Sequence, residues 1–268
     1  MDPLQPLISA LHDEGRLRVW SLVITVFGDS VQLRGGRIAN LRLQKLLGRI
    51  GIEPGTIRTA LSRLGRDGWV SSEREGRNSF YRLTSSGLAQ FADASSRIYA
   101  PPRIQPVTLW TLAIGTDQTG LPVAPGVVLR PADQQSPTGQ KADCAVTGEL
   151  STLSQHLRSN LLTNAHQSAL LALFADIDAL QSASLAPLDA AAARTLLIHR
   201  WRRIVLRHPE PPVELLPSEF NNRDARSEVA RTYTALSQAA ENWFDTALQD
   251  VARMPPARPE FANRFRGT

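Results

Sequence analysis

Apolar residues recur at helical spacing through the N-terminal third of the chain, and glycine or proline marks each break. Val19, Leu22, Val23, Val26 and Phe27 share one side of a helix predicted over 17–30. Gly35 and Gly36 end that run. Leu41, Leu43, Leu46, Leu47 and Ile50 then predict a second helix over 38–49. Gly51 supplies a C-terminal stop, and Pro54 suits the first turn of a third helix. The third helix buries Ile57, Ala60, Leu61 and Leu64 and turns Thr56, Arg58, Thr59, Ser62, Arg63 and Arg66 outward. After Gly68 the pattern becomes that of strands over 69–74 and 78–83, joined by a turn at 75–77. A fourth helix starts at 84–87 and reaches Tyr99. This order of helices and hairpin is that of a winged helix-turn-helix, with 51–54 as the turn of the motif.

Beyond Tyr99 the signals weaken. Residues 100–106 hold three prolines, which stop the fourth helix and read as a linker. Short strands are predicted over 107–114, 127–129 and 145–150, and a polar loop over 131–143. Leu153, Leu157, Leu161, Leu162, Leu170, Leu171, Leu173, Phe174, Ile177 and Leu180 mark helices over 151–180. Further helices are expected over 188–207 and 223–254. The fold class is mainly α with a small β component. Four parts follow: an N-terminal domain over 1–99, a middle β-containing region over 107–150, a helical domain over 151–254, and a tail over 255–268.

Charge sharpens this picture. Residues 31–82 carry eleven Arg/Lys against four Asp/Glu, whereas the whole chain nets only +5. The excess argues for an acidic partner of that segment. Arginine dominates the cations everywhere, only Lys45 and Lys141 being lysine, so arginine preference by itself says nothing about phosphate recognition. An α-helix fills the major groove of duplex DNA, arginine matches guanine O6 and N7, and Thr or Ser reaches phosphate or bases. The candidate contacts are Thr56, Arg58, Thr59, Ser62, Arg63 and Arg66 on the third helix. Arg74, Arg77 and Asn78 on the hairpin join them, with Arg34 and Arg37 ahead of the second helix. The competing reading is a helical subdomain whose polar face is merely solvated.

The runs SLVITVFGD (21–29), RGG (34–36), IRTALSRL (57–64), DGWV (67–70), EGRNSFYRLT (75–84) and SSRIY (95–99) resemble the PaaX-type repressors of phenylacetate catabolism. A second region, LLIHRWRRIVLRHP (196–209) with ELLP (214–217), resembles the same family in the same order. The resemblance implies a homodimeric repressor of double-stranded operator DNA, with a winged helix, a ferredoxin-like middle domain and a C-terminal helical domain. It also implies an acyl-CoA inducer such as phenylacetyl-CoA. Family members carry an arginine-rich helix between the first two middle strands. Here 115–126 hold two prolines and three glycines, so a helix is not expected and the middle domain reads as reduced. In the second region Arg194, His199 and Arg202 are candidates for an anionic ligand, against the plainer reading that Trp201 fills a helical core while arginines solvate it.

An enzyme is not expected. The five histidines form no HExxH, and no GxSxG, GxGxxG or GxxxxGK[ST] occurs. Cys144, the single cysteine, reads as a free surface thiol, so neither a disulfide framework nor a CxxC metal cluster is expected. No cofactor is expected. The apolar run 19–27 is too short to cross a membrane, and Asp13 with Glu14 breaks any leader-like pattern, so a cytoplasmic protein is expected. Two other functions remain open from the sequence. One is a winged-helix module that binds an acidic protein. The other is a nuclease in the middle region, against which stands the lack of any acidic residue over 107–114.

Overall fold

The computed structural model describes residues 2–13, 15, 17–115, 119–134, 142–181 and 183–266. Helix α1 (Gln5–Asp13) opens the chain. It was not expected, although Leu4, Leu7, Ile8 and Leu11 have helical spacing. Helix α2 (Val19–Val26) continues into a π-helical turn over Phe27–Val31. Strand β1 (Arg37–Ala39) precedes α3 (Asn40–Arg49) and α4 (Pro54–Arg66). Gly51, at φ 83°, makes the left-handed stop between them. Strands β2 (Val70–Glu75) and β3 (Asn78–Leu83) form the expected hairpin. Gly76 takes φ 59° at the first of its two turn residues, the position where a type II′ turn requires it. β1 adds to β3, giving an antiparallel sheet in the order β1-β3-β2. The Thr84 side chain accepts from Gly87 N at 3.1 Å and caps α5 (Ser85–Ile98).

In the middle region, β4 (Trp110–Gly115), β5 (Leu121–Ala124), β6 (Val127–Pro131) and β7 (Ala142–Gly148) form an antiparallel sheet in the order β5-β6-β4-β7. The strand β5 occupies part of the stretch between the first two expected strands, where no helix appears among the described residues. Most of the expected loop over 131–143 lies outside the described residues. Cys144 is an exposed free thiol on β7, not on a loop. Then come α6 (Gln155–Asn160), α7 (Asn164–Gln181), α8 (Pro187–Val205) and α9 (Ala225–Phe244).

The chain divides into two compact units that interleave in sequence. One comprises Met1–Pro102, Ala172–Arg203 and Val229–Thr268; the other comprises Arg103–Leu171 and Ile204–Glu228. The first unit therefore holds the N-terminal helices and hairpin together with most of α7, α8 and α9. The long α9 stops at Phe244 rather than near 254. Arg42 of α3 is buried and donates to Trp243 O (2.9 Å), Thr246 O (2.6 Å) and Ala252 O (3.3 Å), so a cation from the first helix of the motif satisfies one carbonyl at the C-terminus of α9 and two in the segment that follows it. Burial, with the nearby Arg34 charge, pushes the Arg42 guanidinium down to about 10. The tail is seated rather than frayed: Arg258 N donates to Leu33 O (2.8 Å), and Phe265 N donates to Tyr99 O (2.9 Å).

The second unit has its own core of Val107, Trp110, Leu121, Leu129, Leu161 and Leu215. It also holds a stacked pair, His166 and His208, with ring centroids 4.4 Å apart. Burial, then the His208 charge, pushes His166 down from an ordinary 6.5 to about 4. His166 thus folds neutral, and the unfolded chain takes up its proton first as pH falls. Its contribution is present above 6.5 and is lost on descending toward 4, a loss on the order of 1–2 kcal/mol. Denaturant titrations at pH 7 and pH 5 should show this loss in the parent and a smaller one in His166→Phe; equal losses in both would refute the assignment.

Candidate nucleic-acid interface

The local sequence builds α4 as an amphipathic helix with Pro54 in its first turn. Ile57, Ala60, Leu61 and Leu64 are buried, and α4 packs against α2, α3 and β2. Thr56, Arg58, Thr59, Ser62, Arg63 and Arg66 are all exposed, as expected. Arg63 lies 3.5 Å from Asp67, a weak surface pair, and its guanidinium sits 5.9 Å over the ring of half-buried Trp20. The Thr59 hydroxyl turns back to donate to Gly55 O at 3.0 Å. On the hairpin, Arg74 and Arg77 are exposed, and Arg74 Nε donates to Gly76 O at 3.2 Å.

Three expected contacts are employed elsewhere. Arg34 is only 3% exposed, because it pairs with Glu241 (2.6 Å) and Asp245 (2.8 Å) and donates to Pro255 O (2.9 Å). It is a core ion-pair residue and not a DNA contact. Arg37 is held by Glu73 (3.0 Å) and by Glu75, over the ring of Phe80. Glu73 also takes Arg82 at 3.4 Å, so these hairpin carboxylates neutralise two of the local arginines. Asn78 is half-buried and donates through Nδ2 to Asp250 O (3.0 Å), which fastens the hairpin to the segment after α9. The local positive excess is therefore concentrated on α4 and at the hairpin tip.

Arg34 belongs to a larger buried network that sequence reasoning missed. Its centre is Asp29, on the π-helical turn and shielded completely from solvent. Arg194 Nε donates to its carboxylate at 3.0 Å, Tyr99 and Tyr233 hydroxyls donate at 3.0 and 2.9 Å, and Arg264 Nη1 donates at 2.9 Å. Arg194 Nη1 lies 2.7 Å from Glu241 Oε1, which continues the chain of charges to Arg34. Burial alone would raise the Asp29 carboxyl, but the Arg194 and Arg264 charges and the two tyrosine hydroxyls hold it below its ordinary value. Arg194 is therefore a structural cation and not a ligand contact: it is fully buried, paired with Asp29 and Glu241, and donates to the Ser30 hydroxyl. His199 is likewise buried, with Nδ1 2.9 Å from the Thr25 hydroxyl. Arg202, partly buried, donates to Ser21 O and Thr25 Oγ1, both at 3.0 Å. Trp201 does fill the helical core, donating to Ile98 O at 2.9 Å. His199, Trp201 and Arg202 of the second region of resemblance thus grip the N-terminal helices. Glu241 is more than 200 residues from Arg34, so no local signal marked the pair.

Comparisons with known proteins agree with this arrangement. The family described as PaaX-like protein matches residues 18–87, and the PaaX-like protein C-terminal domain matches residues 160–246. The Transcriptional repressor PaaX of Escherichia coli (strain K12) is 30% identical over 92% of this chain and 90% of its own length. Among solved structures, the uncharacterized protein Rv0674 from Mycobacterium tuberculosis shares the fold, with TM-score 0.51 and 18% identity over 82% of this chain and 95% of that one. The class is that of a transcriptional regulator and not of an enzyme. The chain belongs to the PaaX family.

Proposed function

We propose that this chain is a homodimeric transcriptional repressor that binds double-stranded operator DNA through a winged helix-turn-helix. The observation that carries this reading is the exposed cationic face of α4, with Arg58, Ser62 and Arg66 turned outward beside a hairpin tipped by Arg74 and Arg77. Helix α3 and α4 form the helix-turn-helix pair and β2-β3 the wing. Helix α4 lies in the major groove and the wing tracks the phosphate backbone. A two-fold dimer reads an inverted repeat with half-sites spaced by about 10 bp or a multiple. Repression follows from occluding polymerase. Release follows when an acyl-CoA inducer such as phenylacetyl-CoA binds the DNA-incompetent arrangement better. The support for that inducer is the family resemblance; Arg194, committed to the core, is not part of its site. No described helix is long and apolar enough to cross a membrane, in keeping with a regulator that works in the cytoplasm.

Two substitutions test the docking. Arg58→Ala should weaken binding to the preferred duplex by about 1–3 kcal/mol and relax selectivity at one base pair. Arg77→Ala should weaken preferred and scrambled duplexes alike and lower the salt slope by about one unit. Fluorescence anisotropy over a salt series separates the two effects. Parent-like affinity in both variants would sink the docking.

A further inference from the structure

We infer that the groove between the start of α2 and α4 is a phosphate-backbone clamp, in which Arg18 and Arg63 hold one phosphodiester segment of the operator beside the major groove. This inference rests on the DNA-binding reading above and extends it to residues outside the helix-turn-helix pair.

The groove has a volume of about 830 Å3, and Arg18, Trp20, Thr56, Thr59, Ala60 and Arg63 line it. Its two charged lining residues are both cations, and among the described residues no acidic residue lines it. At about 100° per residue, Arg63 lies about 140° around α4 from Arg58. A helix seated in the major groove directs one such flank toward bases and the opposite flank toward a sugar-phosphate wall. Residues 56, 59 and 63 form the flank that faces Trp20, whereas Arg58 lies on the other. Three details fit a phosphate rather than a base on the Arg63 side. The Trp20 ring lies 5.9 Å beneath the Arg63 guanidinium and restrains it, which lowers the entropic cost of presenting a bidentate donor. Among the described residues the carboxylate at Arg63 is Asp67, 3.5 Å away with both side chains more than half exposed, so an incoming phosphate displaces little. Thr59 already donates to Gly55 O, leaving Thr56 as the hydroxyl donor of this flank. Arg18 is exposed at the opposite lip, with no carboxylate paired to it among the described residues. Two cations and a hydroxyl around an open trough with an apolar floor suit a single anionic strand.

The experiment uses the full chain, a duplex enriched from a random pool and its scrambled counterpart, with anisotropy across a salt series. Arg18→Ala and Arg63→Ala should weaken both duplexes by the same factor, leave their ratio unchanged, and each lower the salt slope by about one unit. Arg18→Gln and Arg63→Gln, which keep the stem, should do the same, and parent-like melting confirms that the fold is intact. Arg58→Ala, measured alongside, should instead reduce the ratio. Unchanged affinity and slope for the Arg18 and Arg63 variants, with Arg58→Ala still losing selectivity, would overturn the clamp and leave the DNA-binding reading standing. A loss of selectivity at one base pair for Arg63→Ala would also overturn it, by making Arg63 a base reader. If the parent binds neither duplex, both readings fall.

Discussion

Replacing Asp29 by asparagine is expected to destabilise the protein by about 3–5 kcal/mol, despite the near-identical shape of the side chain. The magnitude follows from what the carboxylate leaves behind. Arg264 remains buried with its paired carboxylate removed, and Arg194 keeps only Glu241, which it shares with Arg34. The Tyr99 and Tyr233 hydroxyls keep an oxygen to donate to, so lost charge rather than lost hydrogen bonding is the main cost. The effect should be strongly coupled to Arg264. Once Arg264→Met has removed one of the two stranded cations, Asp29→Asn costs less than it does in the parent. Urea unfolding of the parent, both single variants and the double variant gives this coupling directly. A loss below about 1 kcal/mol for Asp29→Asn, or additive losses in the double variant, would show that the network is not a cooperative unit.

The network also explains which parts of the molecule were legible in the sequence. Helices α2 to α5 and the hairpin came through because each is specified locally: the stripe Ile57, Ala60, Leu61 and Leu64, the stop at Gly51, Pro54 in a first turn, and Gly76 in the hairpin turn. The outward face of α4 was legible for the same reason, since a helix that buries one stripe must expose the other. Arg34 and Arg194 were misplaced because a charged residue is buried only when partners distant in sequence compensate it, and Glu241 and Asp29 gave no sign of that role. Arg37 was offset by hairpin carboxylates that pair with it only across the sheet, from β2 to β1 by way of β3. The tail's prolines exclude an ordinary helix, yet Arg264 and Phe265 anchor it to Asp29 and Tyr99. The spacing of Leu4, Leu7, Ile8 and Leu11 did carry the signal for α1.

The same geometry joins the N-terminal helices to the end of α9 and the segment after it. Asp29 lies on the turn that ends the first helix of the DNA-binding part, while Arg42, inside that part, holds the C-terminus of α9. The wing is tied to Asp250 through Asn78. The end of α9 therefore supports α3 directly, and the segment after it holds the wing.

The largest effect expected is sequence selectivity itself. In the proposed docking, phosphate contacts from Arg66, Arg74 and Arg77 would act on any duplex, whereas Arg58 and Ser62 would act only where their donors and acceptors are matched. Regulators of this kind prefer their sites over random DNA by roughly 10³–10⁷-fold, about 4–10 kcal/mol. The decisive measurement is selection of the full chain on a random duplex pool, followed by anisotropy of the enriched duplex and its scramble across a salt series. The account predicts an enriched inverted repeat, bound at least about a thousandfold more tightly than the scramble at moderate salt, with both affinities falling as salt rises. No enriched sequence, and equal affinity for the two duplexes at every salt concentration, would contradict it.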